Sequence, residues 1–170
     1  LLWGNTNSAS GNKEDQAWRL CQQYIARKVA GVFFAPLELT PSKDEVNRRI
    51  AAALDRAHIP IVLLDRCILP YPQRGTHDLV GIDNRRAGYL ATEHLLQLGR
   101  KRIVFFAQPN SAPTVQARAA GYREVMHAYG RDPIVSADSR SADAFVCAND
   151  RTAGQLMQTL IESGHRIPQD

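Results

Sequence analysis

Several things this chain lacks narrow its function before any motif is considered. None of its apolar runs approaches the ~20 residues a membrane-spanning helix needs, so no membrane partner is expected. The opening residues Leu1-Leu2-Trp3-Gly4-Asn5 have neither the charged start nor the long apolar centre of a secretory signal. Cysteine is scarce. Cys21, Cys67 and Cys147 lie far apart, without the paired C-x-x-C spacing that zinc ligation requires. Each falls in an apolar-periodic segment, which predicts reduced, buried packing residues, no metal and no cofactor. A reducing cytoplasm fits that reading.

Catalytic signatures are also absent. The 170 residues contain no G-x-S-x-G elbow, no G-x-x-x-x-G-K-[ST] phosphate loop and no G-x-G-x-x-G after a strand. None of the five histidines sits at a strand end beside a Ser or Cys with an acidic partner. The chain is therefore not expected to be an enzyme. A net charge of +4 invites a nucleic-acid reading. However, Arg48-Arg49, Arg85-Arg86 and Arg100-Lys101-Arg102 occupy separate helix ends and faces, with no interleaved aromatics to stack bases. They read as solvated helix surface, so this segment itself is not expected to grip DNA.

What is present is a regular alternation. Short apolar runs at residues 1–3, 31–35, 61–64, 79–82, 103–107 and 144–148 read as strands. Between most of them lie segments with apolar residues every three or four positions. These run through Trp18, Cys21, Ile25 and Val29; through Val46, Ile50, Leu54 and Ala57; and through Ala87, Leu90, Ala91, His94, Leu95 and Leu98. Two more use Tyr122, Val125, Met126 and Tyr129, and Ala153, Leu156, Met157, Leu160 and Ile161. On this pattern His94 is expected in the core, as are Trp3 and Trp18. Continuous apolar strands are those buried on both faces by helices, so the order β-α-β-α predicts an α/β fold with parallel, doubly wound sheets. The polar stretch 67–78, with Pro70, Pro72 and Gly75, interrupts the alternation before it restarts. We therefore expect two lobes, residues 1–82 and 83–170, with a cleft between them.

One stretch does not fit. Ile134-Val135 and residues 144–148 both read as strands, yet a parallel crossover needs a dozen or more residues, usually a helix. Only Ser136 to Asp143 intervene, with no apolar face. A strand–helix stretch is thus expected to be missing between Val135 and Asp143.

Ligands of open α/β sheets bind beyond the carboxyl ends of the strands. Asp65-Arg66, Asp83-Asn84, the stretch from Gln108 to Thr114, and Asn149-Asp150 occupy those ends. They supply donors and acceptors for a neutral, polyhydroxylated molecule. Arg118 lies four residues before Tyr122 and seven before Val125, on the core-facing stripe of its helix. Its planar fork can bridge adjacent hydroxyls or a carboxylate, or else snorkel out past the lobe edge. Asp65 is open to two roles, accepting from sugar hydroxyls or pairing with Arg66. Asn149 is placed to contact ligand, with Asp150 expected to cap the following helix; Asp83 has a similar cap-like placement.

The run Val80-Gly81-Ile82-Asp83-Asn84, then Ala87-Gly88, His94-Leu95 and Leu98-Gly99-Arg100-Lys101-Arg102-Ile103, resembles the "D-N-x-x-G…HL…LGH-x-x-I" stretch of LacI/GalR-type repressors. Arg118-Ala119-Ala120-Gly121-Tyr122 resembles their "R-x-x-G-(aromatic)". Asp143 to Asp150 with Ala153, and Gly164 to Asp170, resemble two further motifs in the same order. The resemblance implies a type I periplasmic-binding-protein-like fold, incomplete at both ends here, whose two lobes close on an effector, commonly a sugar. It implies that Arg118, Asn149, Asp65 and Thr114 line the cleft, with Asp83 near the crossover. It also implies a homodimer and an N-terminal helix-turn-helix, not present in this chain, that binds operator DNA. The rivals are a secreted sugar-binding protein of an ABC transporter, which shares the fold, and a nucleotide-using α/β enzyme.

Overall fold

The computed structural model describes residue 4, residues 12–136 and residues 142–168. The chain divides into two compact units, Leu1–Ile82 and Asp83–Asp170. The run at residues 1–3, Trp3 included, lies outside the described residues.

In the first unit the order is α1 (Lys13–Ala26), β1 (Val32–Phe34), α2 (Lys43–Arg56), β2 (Ile61–Leu64) and β3 (Asp78–Val80). The strands form one parallel sheet in the order β1-β2-β3. α1 starts where the Asn12 side chain accepts from the Glu14 N–H, with Glu14 and Asp15 favourably placed at its positive end. It stops at Ala26, so Val29 packs from the following turn rather than from the helix. The core is Cys21, Ile50, Leu54, Ile61, Leu63 and Ile68, with Trp18 packed on its edge under the Arg49 guanidinium. Asn47 is buried and clamps Leu37: its Oδ1 accepts from the Leu37 N–H at 2.8 Å, and its Nδ2 donates to the Leu37 carbonyl at 3.0 Å.

The second unit runs α3 (Asn84–Gln97), β4 (Ile103–Phe106), α4 (Pro113–Ala128), β5 (Ile134–Ser136), β6 (Ala144–Cys147) and α5 (Asp150–Glu162). Its sheet is parallel in the order β5-β4-β6. The central strand β4 is buried from Ile103 through Phe105, and Tyr122, Val125 and Met126 of α4 pack in the core beside it. Each such side chain contributes roughly 1.5–3 kcal/mol on burial. The Tyr122 hydroxyl donates to the Ile103 carbonyl and accepts from the Ile134 N–H, both at 2.7 Å, so it ties β5 to β4 from within the core. Asp143 accepts from the Lys101 and Arg102 N–H groups, fixing the start of β6 to the start of β4. Residues 137–141 lie outside the described residues, and with them the stretch expected to be missing after Val135.

Four expectations fail. The face of α3 that the apolar pattern assigns to the core is not the buried one: Leu90, Ala91, His94 and Leu98 are exposed, while Asn84, Gly88 and Thr92 are buried. Small residues win there because α3 lies against α4 at backbone contact, where leucine has no room. β3 and β5 are edge strands, and Leu79, Val80, Ile134 and Val135 are exposed rather than covered on both faces. The strand expected at 79–82 ends at Val80, where the chain turns off toward Gly81. Of the cysteines, Cys21 is buried but Cys67 and Cys147 are only half-buried; all three are free. Among the described residues, no helix is long and apolar enough to cross a membrane.

Candidate functional site

The site is built on contact between two helices. A Cβ added at Gly88 of α3 would lie 2.0 Å from the Arg118 carbonyl oxygen, and one at Gly121 of α4 would lie 2.0 Å from the Arg85 carbonyl oxygen. Two glycines facing opposite backbones let the helices touch. That contact brings the first turn of α3 beside the Arg118 side chain.

Arg118 is half-buried, and two of its nitrogens are anchored. Its Nε donates to Asn84 Oδ1 at 2.8 Å, and its Nη1 donates to the Ala148 carbonyl oxygen. Asn84 is itself buried, at the first helical position of α3, and Ala148 follows β6. The guanidinium therefore bridges the amino end of α3 and the carboxyl end of β6. Among the described residues its Nη2 meets no acceptor. Of the five donors of the fork, three remain for another molecule.

The other expected residues of this unit gather around that bridge. Asp83 directly precedes Asn84 and caps α3, its Oδ1 accepting from the Arg86 N–H at 2.9 Å. Asn149 directly follows Ala148 and is the N-cap of α5, its Oδ1 accepting from the Thr152 N–H and hydroxyl, both at 2.9 Å. Capping thus falls to Asn149 and not, as expected, to Asp150, which is the first helical residue. The cap must be the last residue with extended backbone, and the chain becomes helical only at Asp150. The Asn149 amide nitrogen meets no acceptor among the described residues and stays available as a donor. Thr114 is buried one helical turn before Arg118, in the first turn of α4. Sequence reasoning placed these positions together but missed Asn84 as the partner of Arg118.

Asp65 belongs to the first unit, at the carboxyl end of β2. Its φ is +66°, a left-handed conformation that Asp tolerates better than most residues, and its N–H donates to the Val80 carbonyl at 2.7 Å. Of the two roles left open for it, the ion pair is formed: Oδ2 accepts from Arg66 Nε at 3.0 Å and Nη2 at 2.9 Å. Arg66 Nη1 also meets Glu38 Oε1 at 2.9 Å, so two carboxylates share one guanidinium. Glu38 was not legible as a member, because it approaches from the loop after β1.

Among the described residues no three His, Cys, Asp or Glu side chains group to hold a metal ion. The second unit presents free donors at Arg118 that can bind and orient a polar molecule. In the first unit, separately, Asp65 and Glu38 present carboxylate acceptors around Arg66.

Residues 8–170 match the model of the family described as periplasmic binding proteins and sugar-binding domain of the LacI family. The chain belongs to that family. It is similar to the sucrose operon repressor of Escherichia coli, with 25% identity over 181 residues, covering 92% of this chain and 51% of the repressor. The transcriptional regulator GalR of Salmonella typhimurium strain LT2 is 27% identical over 188 residues, covering 99% and 51%. Among solved structures, a LacI family transcriptional regulator from Enterococcus faecium with bound ribose superposes with a TM-score of 0.70. Its identity is 25%, covering 89% of this chain and 60% of that one. The chain thus spans about half the length of these two curated relatives.

Proposed function

We propose that this chain is the effector-sensing part of a LacI/GalR-type transcriptional repressor of the cytoplasm. A small sugar-like molecule is bound by the free donors of Arg118, with Asn149, Thr114 and Asp83 of the same unit around it; Asp65 is the ligand-contacting residue we propose in the first unit. The observation that carries the reading is the half-buried guanidinium at the strand ends, anchored through two nitrogens and left with donors to spare. Planar paired donors match vicinal hydroxyls. Family membership and the repressors among the relatives support a regulator over a transporter's binding protein. The ribose in the Enterococcus faecium structure supports a sugar as effector.

In this reading the protein is a homodimer that meets operator DNA through a helix-turn-helix outside this chain. The effector alters operator affinity only by its differential affinity for two states of the protein, typically about 1–3 kcal/mol of coupling. Isothermal titration of the chain with ribose, arabinose, galactose and sucrose tests the proposal. At least one sugar should bind, and Arg118→Ala should weaken it by about 1.5–3 kcal/mol, the range for a hydrogen bond to a charged group. Absence of binding across the panel, or an unchanged titration in the variant, would overturn the reading.

A further inference from the structure

We infer that Asn84 is the positioning residue of this site, fixing the Arg118 fork so that one set of its donors faces the effector. The inference rests on the sugar-sensing reading above. An arginine side chain carries about 2 kcal/mol of rotamer entropy, so an unanchored guanidinium would have to be ordered when ligand arrives. Here the ordering is done in advance. The Nε–H goes to Asn84 Oδ1 and one Nη1–H to the Ala148 carbonyl, and a planar group held at two of its nitrogens has its plane and direction set. The second Nη1 hydrogen and both Nη2 hydrogens then stand in one fixed arrangement.

The anchor is itself immobile. Asn84 is 7% exposed, sits in the first turn of α3 next to the capping Asp83, and is held beside α4 by the Gly88 and Gly121 contacts. Its chemistry also fits the task. A neutral amide oxygen accepts the Nε–H without cancelling the guanidinium charge, so the remaining donors keep the strength of charge-assisted hydrogen bonds. A carboxylate at the same place would hold the arginine equally well but pair with its charge. An apolar residue would leave the guanidinium held at Nη1 alone, with its plane no longer set.

The experiment combines two readouts on the chain. Isothermal titration with ribose, arabinose, galactose and sucrose compares the wild type with Asn84→Ala, Arg118→Ala and the double variant. Nitrogen-15 NMR follows the Arg118 Nε–Hε signal, identified by its loss in Arg118→Ala. Asn84→Ala should weaken whichever sugar binds the wild type by about tenfold, the loss expected for one charge-assisted hydrogen bond. The double variant should bind no more weakly than Arg118→Ala alone, because Asn84 acts only through the arginine. The Nε–Hε signal should be lost to solvent exchange in Asn84→Ala and retained in Asn84→Asp, which keeps the acceptor oxygen. Wild-type affinity in Asn84→Ala, losses that add in the double variant, or an unchanged Nε–Hε signal would each overturn the assignment. If Arg118→Ala binds every sugar as the wild type does, the sensing reading falls and this one with it. If only Arg118→Ala weakens binding, the role of Asn84 alone falls.

Discussion

Replacing Gly88 by alanine tests the packing on which the site is built. The new methyl carbon would lie 2.0 Å from the Arg118 carbonyl oxygen and 2.7 Å from its carbonyl carbon. Ordinary contact is near ~3.5 Å, so α3 and α4 must part by about 1.5 Å. Backbone does not yield as the tip of a flexible side chain does. Overpacking of a well-filled interface costs about 1–3 kcal/mol and occasionally more, and a clash of this depth belongs at the upper end. Alanine returns about 1 kcal/mol through its better helix propensity. The net expectation is a loss of about 2 kcal/mol, with the 2.8 Å bond from Arg118 to Asn84 stretched or broken. Urea unfolding followed by far-UV circular dichroism should show the midpoint falling by roughly 1 M for an ordinary dependence on denaturant. Gly154→Ala in α5 is the internal control, because nothing lies within 4 Å of the added carbon. It should raise stability by about 0.5–1 kcal/mol through propensity alone. A Gly88→Ala protein that unfolds at or above the wild-type midpoint would refute the close-contact argument.

Two further outcomes follow from buried polar groups. Tyr122→Phe removes the hydroxyl that accepts from Ile134 and donates to Ile103, and should cost about 1–3 kcal/mol, read as a lower unfolding midpoint. Burial pushes the Tyr122 phenol above its ordinary value of about 10, so the folded state holds its proton more tightly than the unfolded chain. The stabilisation from this group is complete below pH ~10 and fades as pH rises toward the folded value. Tyr122→Phe should flatten that alkaline fall. Asn47→Ala breaks the two-bond clamp on Leu37, and the Leu37 amide should lose its protection from hydrogen exchange while amides of the second unit keep theirs.

Where the sequence was read well, short-range rules decide the structure. Ile61–Leu64 and Ile103–Phe106 are runs of aliphatic and aromatic residues bounded by polar turns, and they form strands at the expected places. α4 begins at Pro113, which suits a first helical position, and the glycines after α3 and α4 mark the helix ends. Failures begin where the deciding partner is distant. On α3 the leucines at 90 and 98 imply one buried face, but Gly88 is buried because Arg118 lies against it, thirty positions later in the chain. No periodicity within a helix contains that information.

The site divides along the same line. The positions around Arg118 were legible because strand ends are where an α/β sheet leaves polar backbone and side chains unspent. Capping was legible in kind, since Asn and Asp both cap well, but not in register, which is why the cap falls to Asn149 rather than to Asp150. The partners of Arg118 were not legible. Asn84 lies 34 residues before it and Ala148 lies 30 after it, and one of the two contacts is a backbone carbonyl that any residue would supply. A guanidinium between two remote elements is fixed only once the sheet and the glycine-mediated helix contact exist. It follows that the stability of this unit and the geometry of Arg118 share one cause here. A change that parts α3 from α4 should loosen Arg118 before it unfolds the unit, so the Arg118 Nε–H should lose its protection from solvent exchange under milder perturbation than helicity is lost.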